Sequence, residues 1–293
     1  MSQAIDQDHQ NLGMVLGFVG IVLFGATLPM THLGLEGFSP WFLTFARAMI
    51  ASLAAFVYVA LTGIRVPPGR RFETFLAGLL LVFGFPGFAT LAMQSVPASH
   101  GGVFLGLLPL MTAVFAALIG NERPGPAFWC MGVLGAVLVV VFSLQRTAFH
   151  PGAGDFWLLA ASLSASLGYV LSGRLSRDMP GGATISWALI LTLPLSVAGT
   201  FLTWNTGIQE PQAPAIWALL YLGLFSMFAG FLFFNAGLAM GGIARVGQVQ
   251  LLQTFVTLIL SALLLGENIT MVTVLFAVAV ALVVWFGRNA RIS

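Results

Sequence analysis

"FAALIGNER", residues 115–123, closes a long apolar run with Glu122 and Arg123 side by side, and "LSALLLGEN", residues 260–268, closes another with Glu267, 145 positions after Glu122. Sliding the chain on itself by that interval pairs His100 with Arg245, Thr112 with Thr257 and Gly78 with Gly223. It also lays "VFGFPGFATLAM", 82–93, on "MFAGFLFFNAGL", 227–238, where identity is low but hydropathy keeps register. The chain reads as one unit written twice.

Composition says where those units sit. Charged residues are 7% of 293, apolar ones 59%, and mean hydropathy is +1.00, values that belong to a membrane protein. All eleven basic residues are Arg, and a net charge of +2 gives no footprint for nucleic acid. Cys130 stands alone in an apolar stretch, which excludes an internal disulfide and a multi-cysteine metal site and reads as a packing residue. The polar "MSQAIDQDHQN" lacks the basic region of a signal peptide, so the first span is expected to be retained.

A helix needs ~20 apolar residues to cross the hydrocarbon core. Ten segments are expected to do so, near 12–31, 38–61, 72–94, 98–119, 126–145, 155–174, 183–203, 214–236, 243–265 and 269–287. With both termini cytoplasmic, Arg65, Arg70, Arg71, Arg123, Arg174, Arg177, Arg245, Arg288 and Arg291 fall on the inner side and only Arg146 on the outer. Five spans per copy is an odd number, so the second copy is inverted. The expected architecture is an all-α membrane protein of ten transmembrane helices in two inverted five-helix repeats, 1–146 and 147–293, an arrangement common in secondary transporters.

The stretch "PASHGGVFLGLLPLMTAVFAALIGNERPGPAFWCMGVLGAVLVVV" resembles the EamA type of the drug/metabolite transporter superfamily, with Pro109, Glu122, Gly132 and Gly135 on its pattern. "FARAMIAS", 45–52, is similar to the family's Arg-containing stretch and carries it to Arg47. "SLSASLGYVLSGRLSR", 162–177, resembles the start of its second half, with Tyr169 at the aromatic position. The resemblance covers residues 12–287 and implies a bacterial exporter of amino acids or other metabolites in the inner membrane. Two departures stand out. Phe24 replaces a common Trp, and "QTF", 253–255, replaces the mid-helix Pro, which predicts a straighter ninth span.

Polar side chains at membrane depth face other helices or water. In the ninth span Gly247, Gln250, Gln253, Thr254, Thr257 and Ser261 share one face, either as a cavity wall or as interhelical glue, and two glutamines favour the wall. Ser162, Ser166, Tyr169 and Gly173 stripe the sixth span; Phe228, Phe231 and Asn235 the eighth. In the first span Gly13, Gly17 and Gly20 read as packing, while Thr27 and Thr31 could line a path. The expected substrate contacts are Gln250, Gln253, Thr254, Tyr169, Asn235, Ser166, Thr27 and Phe228.

Arg47, the charge well inside a span, either meets a substrate carboxylate or caps backbone carbonyls, and the structural role is favoured slightly. Glu122 and Glu267 lie at helix C-termini, where the macrodipole disfavours them, so they imply partners such as a neighbouring helix N-terminus. With Pro109 and Arg47 they are read as gating or structural residues. His100 and His32, near span ends, read as solvated.

No carboxylate lies at mid-depth, which favours a facilitator or exchanger that moves small neutral or zwitterionic solutes down their own gradient. No cofactor is implied, the expected partners are a small-molecule substrate and the bilayer, and the chain is expected to be a monomer or weak oligomer. An intramembrane enzyme would need a nucleophile with its base, or a metal cluster, at depth, and the sequence offers neither. A channel or a structural membrane subunit is the remaining rival.

Overall fold

A computed structural model describes residues 2–119, 126–146, 152–176, 178–241, 249, 250 and 252–289. The described chain is almost wholly helical. Its α-helices are α1 (Ser2–Gly25), α2 (Thr27–Gly34), α3 (Pro40–Thr62), α4 (Arg71–Gly78), α5 (Phe85–Ala92), α6 (Ala98–Leu105), α7 (Leu108–Ile119), α8 (Pro126–Arg146), α9 (Ala153–Leu175), α10 (Gly181–Leu202), α11 (Trp204–Gly207), α12 (Ala213–Leu220), α13 (Gly230–Gly241), α14 (Leu252–Leu265) and α15 (Met271–Asn289). Two π-helical segments, π1 (Leu79–Gly84) and π2 (Tyr221–Ala229), link α4 to α5 and α12 to α13. Residues 224–229 of π2 lie 145 positions after π1.

Seven stretches of the described residues are long and apolar enough to cross a bilayer: Asn11–Gly34, Pro40–Thr62, Arg71–Ala92, Ala98–Ile119, Ala153–Leu175, Gly181–Leu202 and Ala213–Gly237. Shorter apolar helices, Trp129–Phe142, Leu252–Leu265 and Met271–Val283, stand where the fifth, ninth and tenth spans are expected. The chain is thus a multi-pass membrane protein. Large apolar side chains such as Leu53, Phe56, Val57, Trp217 and Leu263 point outward, as contact with hydrocarbon requires. Cys130 is exposed too, so it sits on the outside of the bundle instead of packing within it.

Local chemistry sets the helix ends. At the start of α3, Ser39 Oγ accepts from Phe42 N–H and Pro40 occupies the first turn; at its end Gly63 adopts φ 66°. α14 closes on Gly266 (φ 64°), with Glu267 N–H bonded to Ser261 O and Gly266 N–H to Ala262 O. The fourth span breaks between α6 and α7, where Gly106 and Leu107 N–H turn back to Val103 O and Phe104 O just ahead of Pro109, which has no N–H to offer the helix. The ninth span lacks that proline; among its described residues Gln250 stands in a turn, its carbonyl taking Gln253 N–H, and α14 begins at Leu252. A local tight turn needs no proline.

Helices pack pairwise: α1 along α13, α9 along α5, α3 along α10, α6 along α14, and α8 along α15. Glycines permit the closest approaches. A Cβ at Gly20 would lie 2.8 Å from Phe234 Cβ, and one at Gly237 would lie 2.5 Å from Gly17 N and 2.7 Å from Gly13 O, so the first-span glycines do pack. Two loops also meet, Ser39 N–H bonding Gly207 O and Gln209 N–H bonding Gly37 O across the Phe38–Ile208 bridge.

Candidate functional site

The candidate cavity lies where α1, α2, α3, π1, α5, α9, π2, α13 and α14 converge. As the helices stand it is nearly closed, with a volume of about 20 Å³, room for little more than one water. Phe24, Leu81, Phe85, Pro86, Met227 and Phe231 give it an apolar, largely aromatic wall, and Tyr169 adds a further ring 6.1 Å from that of Phe231. Its polar lining is Thr27, Arg47, Ser226 and Gln253.

Arg47 is the largest of the fully buried side chains, 1% exposed. Its Nη2 donates to Ser226 Oγ at 3.3 Å and to Leu222 O at 3.5 Å, both acceptors belonging to π2. Ser226 Oγ also shares a 2.8 Å hydrogen bond with Thr27 Oγ1. The Nε and Nη1 atoms have no partner. Among the described residues no carboxylate pairs with the guanidinium. Glu73 and Asp178 are taken by Arg70, Asp155 by His100, and Glu267 by backbone N–H groups, while Glu36 and Glu210 are exposed. Burying an unpaired cation is expensive, so the arrangement calls for an anion.

Of the residues expected to touch substrate, Thr27, Tyr169 and Gln253 line the cavity. Ser166, Phe228, Asn235, Gln250 and Thr254 do not. Ser166 Oγ donates to Leu108 O at 3.5 Å, and Asn235 Nδ2 donates to Gly181 O at 3.1 Å. Phe228 packs edge-on to Tyr58, and Thr254 lies against Gly106, where a Cβ would come within 3.0 Å of its Oγ1. Gln250 is half-buried at its turn. The ninth-span stripe therefore splits: Gln253 reaches the cavity, and Thr257, donating to Gly25 O at 2.9 Å, ties α14 to α1. Arg47, Ser226 and the apolar residues Phe24, Leu81, Phe85, Pro86, Met227 and Phe231 complete the lining. A serine within an apolar stretch carries no periodic signal, whereas a buried charge does.

Glu267 has the partner its position demands. Its carboxylate takes Ala98 N–H at 2.8 Å and Ser99 N–H at 3.0 Å, capping α6 where unsatisfied donors and the positive dipole end coincide. Glu122 lies outside the described residues, as does the Pro109 side chain. His100 overturns the expectation of a solvated side chain. It is 1% exposed, bonded through Nε2 to Asp155 Oδ1 at 2.7 Å and stacked on Phe142, while Asp155 Oδ2 also caps α9 by taking Gly152 N–H. At the opposite end of the bundle, Arg70 bonds Glu73 at 2.7 Å and Asp178 at 2.6 Å, with Arg174 3.7 Å from Glu73. The hydrogen bond that Arg70 donates to Glu73, then the Asp178 charge, hold Arg70 above its ordinary pKa.

The profile of the EamA-like transporter family matches residues 11–144 and again residues 152–286. The uncharacterized transporter YdeK of Bacillus subtilis strain 168 is 40% identical over 278 residues, 94% of this chain and 97% of that protein. A Salmonella typhimurium protein named "Probable amino-acid metabolite efflux pump" is 26% identical over 300 residues, 95% of this chain and 97% of its own length. A solved crystal structure shares the fold at a TM-score of 0.65 and 21% identity, covering 96% of this chain and 99% of the other.

Proposed function

Because the chain belongs to the EamA-like transporter family, we propose that it is a secondary transporter that alternately exposes the cavity around Arg47, Tyr169 and Gln253 to the two sides of a bacterial inner membrane. The observation that carries this reading is the cavity itself, enclosed between helices from both matched segments and polar at a few convergent points. Ten spans in two inverted repeats, 1–146 and 147–293, with both termini cytoplasmic, are supported by the separate family matches, the π segments 145 positions apart and the arginine distribution. The helix pairs support it as well, since exchanging the two halves turns α1 with α13 into α9 with α5.

The cargo is a small metabolite, an amino acid or a relative of one, moved outward or exchanged down its own gradient. Aromatic walls suit an apolar side chain, and the name of the Salmonella relative supports the class. Flux of labelled amino acids into proteoliposomes tests the reading, with and without a pH gradient. Saturable, stereoselective flux is expected, and Gln253→Leu should reduce it about tenfold or more while the protein stays folded, the scale of a lost polar contact in a dry site. Flux that neither saturates nor distinguishes enantiomers would mean a channel.

A further inference from the structure

We infer that the cavity selects its solute by a carboxylate docked on Arg47, and prefers a carboxylate on an apolar or aromatic body that bears no ammonium group. The inference rests on the transport reading and narrows it.

Charge on the cavity wall is one-sided. Arg47 is the cation, and it leaves the N–H groups of Nε and Nη1 without acceptors. None of the described lining residues is acidic. An amino acid would satisfy the guanidinium with its carboxylate but bring an ammonium into the same pocket, with no counter-charge and with Arg47 repelling it. A monocarboxylate meets only the favourable half. Thr27 and Ser226, joined by their 2.8 Å hydrogen bond, add hydroxyls beside Nη2 that can serve the second carboxylate oxygen. Beyond them Phe24, Phe85, Tyr169 and Phe231 surround whatever the carboxylate is attached to. A purely structural Arg47 would be expected to spend its donors on carbonyls, yet Nη2 alone finds protein acceptors.

Three probes with one phenyl body separate the charges: 3-phenylpropanoate, L-phenylalanine and phenethylamine. Dissociation constants are measured on the purified full-length protein in detergent, by the shift of thermal unfolding with ligand concentration. The expected order of affinity is 3-phenylpropanoate, then L-phenylalanine, then phenethylamine, with about tenfold or more between first and last, as a charge-assisted hydrogen bond implies. Arg47→Gln should weaken 3-phenylpropanoate about tenfold or more, erase the order, and raise the unliganded Tm, because an unpaired buried cation has gone. Arg47→Lys should keep the order at lower affinity, and Ser226→Ala should weaken 3-phenylpropanoate several-fold; these two decide the matter if Arg47→Gln does not fold. Equal affinities, tightest binding of L-phenylalanine or phenethylamine, no binding of any probe at ten millimolar, or unchanged affinity in folded Arg47→Gln would each overturn the inference. Tight carboxylate binding without flux in proteoliposomes would break the transport reading and leave charge selection standing. Robust flux with L-phenylalanine bound tightest would do the reverse.

Discussion

Gly78 and Gly223, 145 residues apart, each let a helix cross closely beside a π segment. A Cβ on Gly78 would lie 2.8 Å from Ala188 O and from Thr192 Cγ2 of α10; one on Gly223 would lie 2.8 Å from Ile50 Cγ2 and 3.0 Å from Arg47 O of α3. The same interval relates Arg47 to Thr192, so one contact of each crossing has its counterpart in the other. Their chemistry differs. Thr192 Oγ1 donates within its own helix, to Ala188 O at 2.8 Å and Leu189 O at 3.2 Å. Arg47 reaches across to π2, lines the cavity, and leaves its buried Nε and Nη1 without acceptors. A duplicated scaffold thus carries an unduplicated charge.

The comparison can be broken at its shared part. Gly78→Val and Gly223→Val should each destabilise by about 3 kcal/mol or more, since backbone and packed side chains must give way, and the two losses in Tm should be alike. A marked inequality would mean that the crossings are not equivalent. Sharpening it calls for Thr192→Val, which should cost about 1 kcal/mol of stability and leave binding of 3-phenylpropanoate unchanged, in contrast to Arg47→Gln. Outside both crossings, Glu267→Gln should lower stability by about 1 kcal/mol through the weaker cap on α6, visible as a lower Tm without a change in ligand preference. The smallest effect is expected from Ser164→Ala. Its hydroxyl donates to Leu80 O in π1 at 3.0 Å, so about 0.5–1 kcal/mol should be lost with affinity intact, whereas Ser226→Ala within π2 should affect binding.

Much of this was legible in the sequence. The 145-residue interval, the helix-capping role of a glutamate at a helix end, and the in-span Arg47 follow from periodicity and from the expense of charge in hydrocarbon. Tyr169 and Gln253 were legible as polar groups on helical stripes. Their neighbours Ser166 and Thr254 sit on the same stripes but meet other helices, because a stripe of a third of the circumference is wide enough to touch both the cavity and a packing partner. Ser226 was hidden, its hydroxyl gaining meaning only from Arg47, 179 residues away in sequence. The π segments were hidden as well: "LLLVFG" and "YLGLFSMFA" carry no signature that would set them apart from α-helix. His100 and Asp155 are 55 residues apart, and no sequence spacing links them; two spans place them together.

Between α1 and α13, Gly237 rests on the backbone of Gly13 and Gly17, so that part of the seam has no knobs set into holes. Interlocked side chains act as teeth: to slide one helix past another, rotamers must change and dispersion contacts must be lost and remade. A seam of bare backbone works as a plain bearing. Along Gly13, Gly17 and Gly237 the surface has little corrugation to resist axial displacement, whereas a single added methyl on Gly237 would put a tooth in the track.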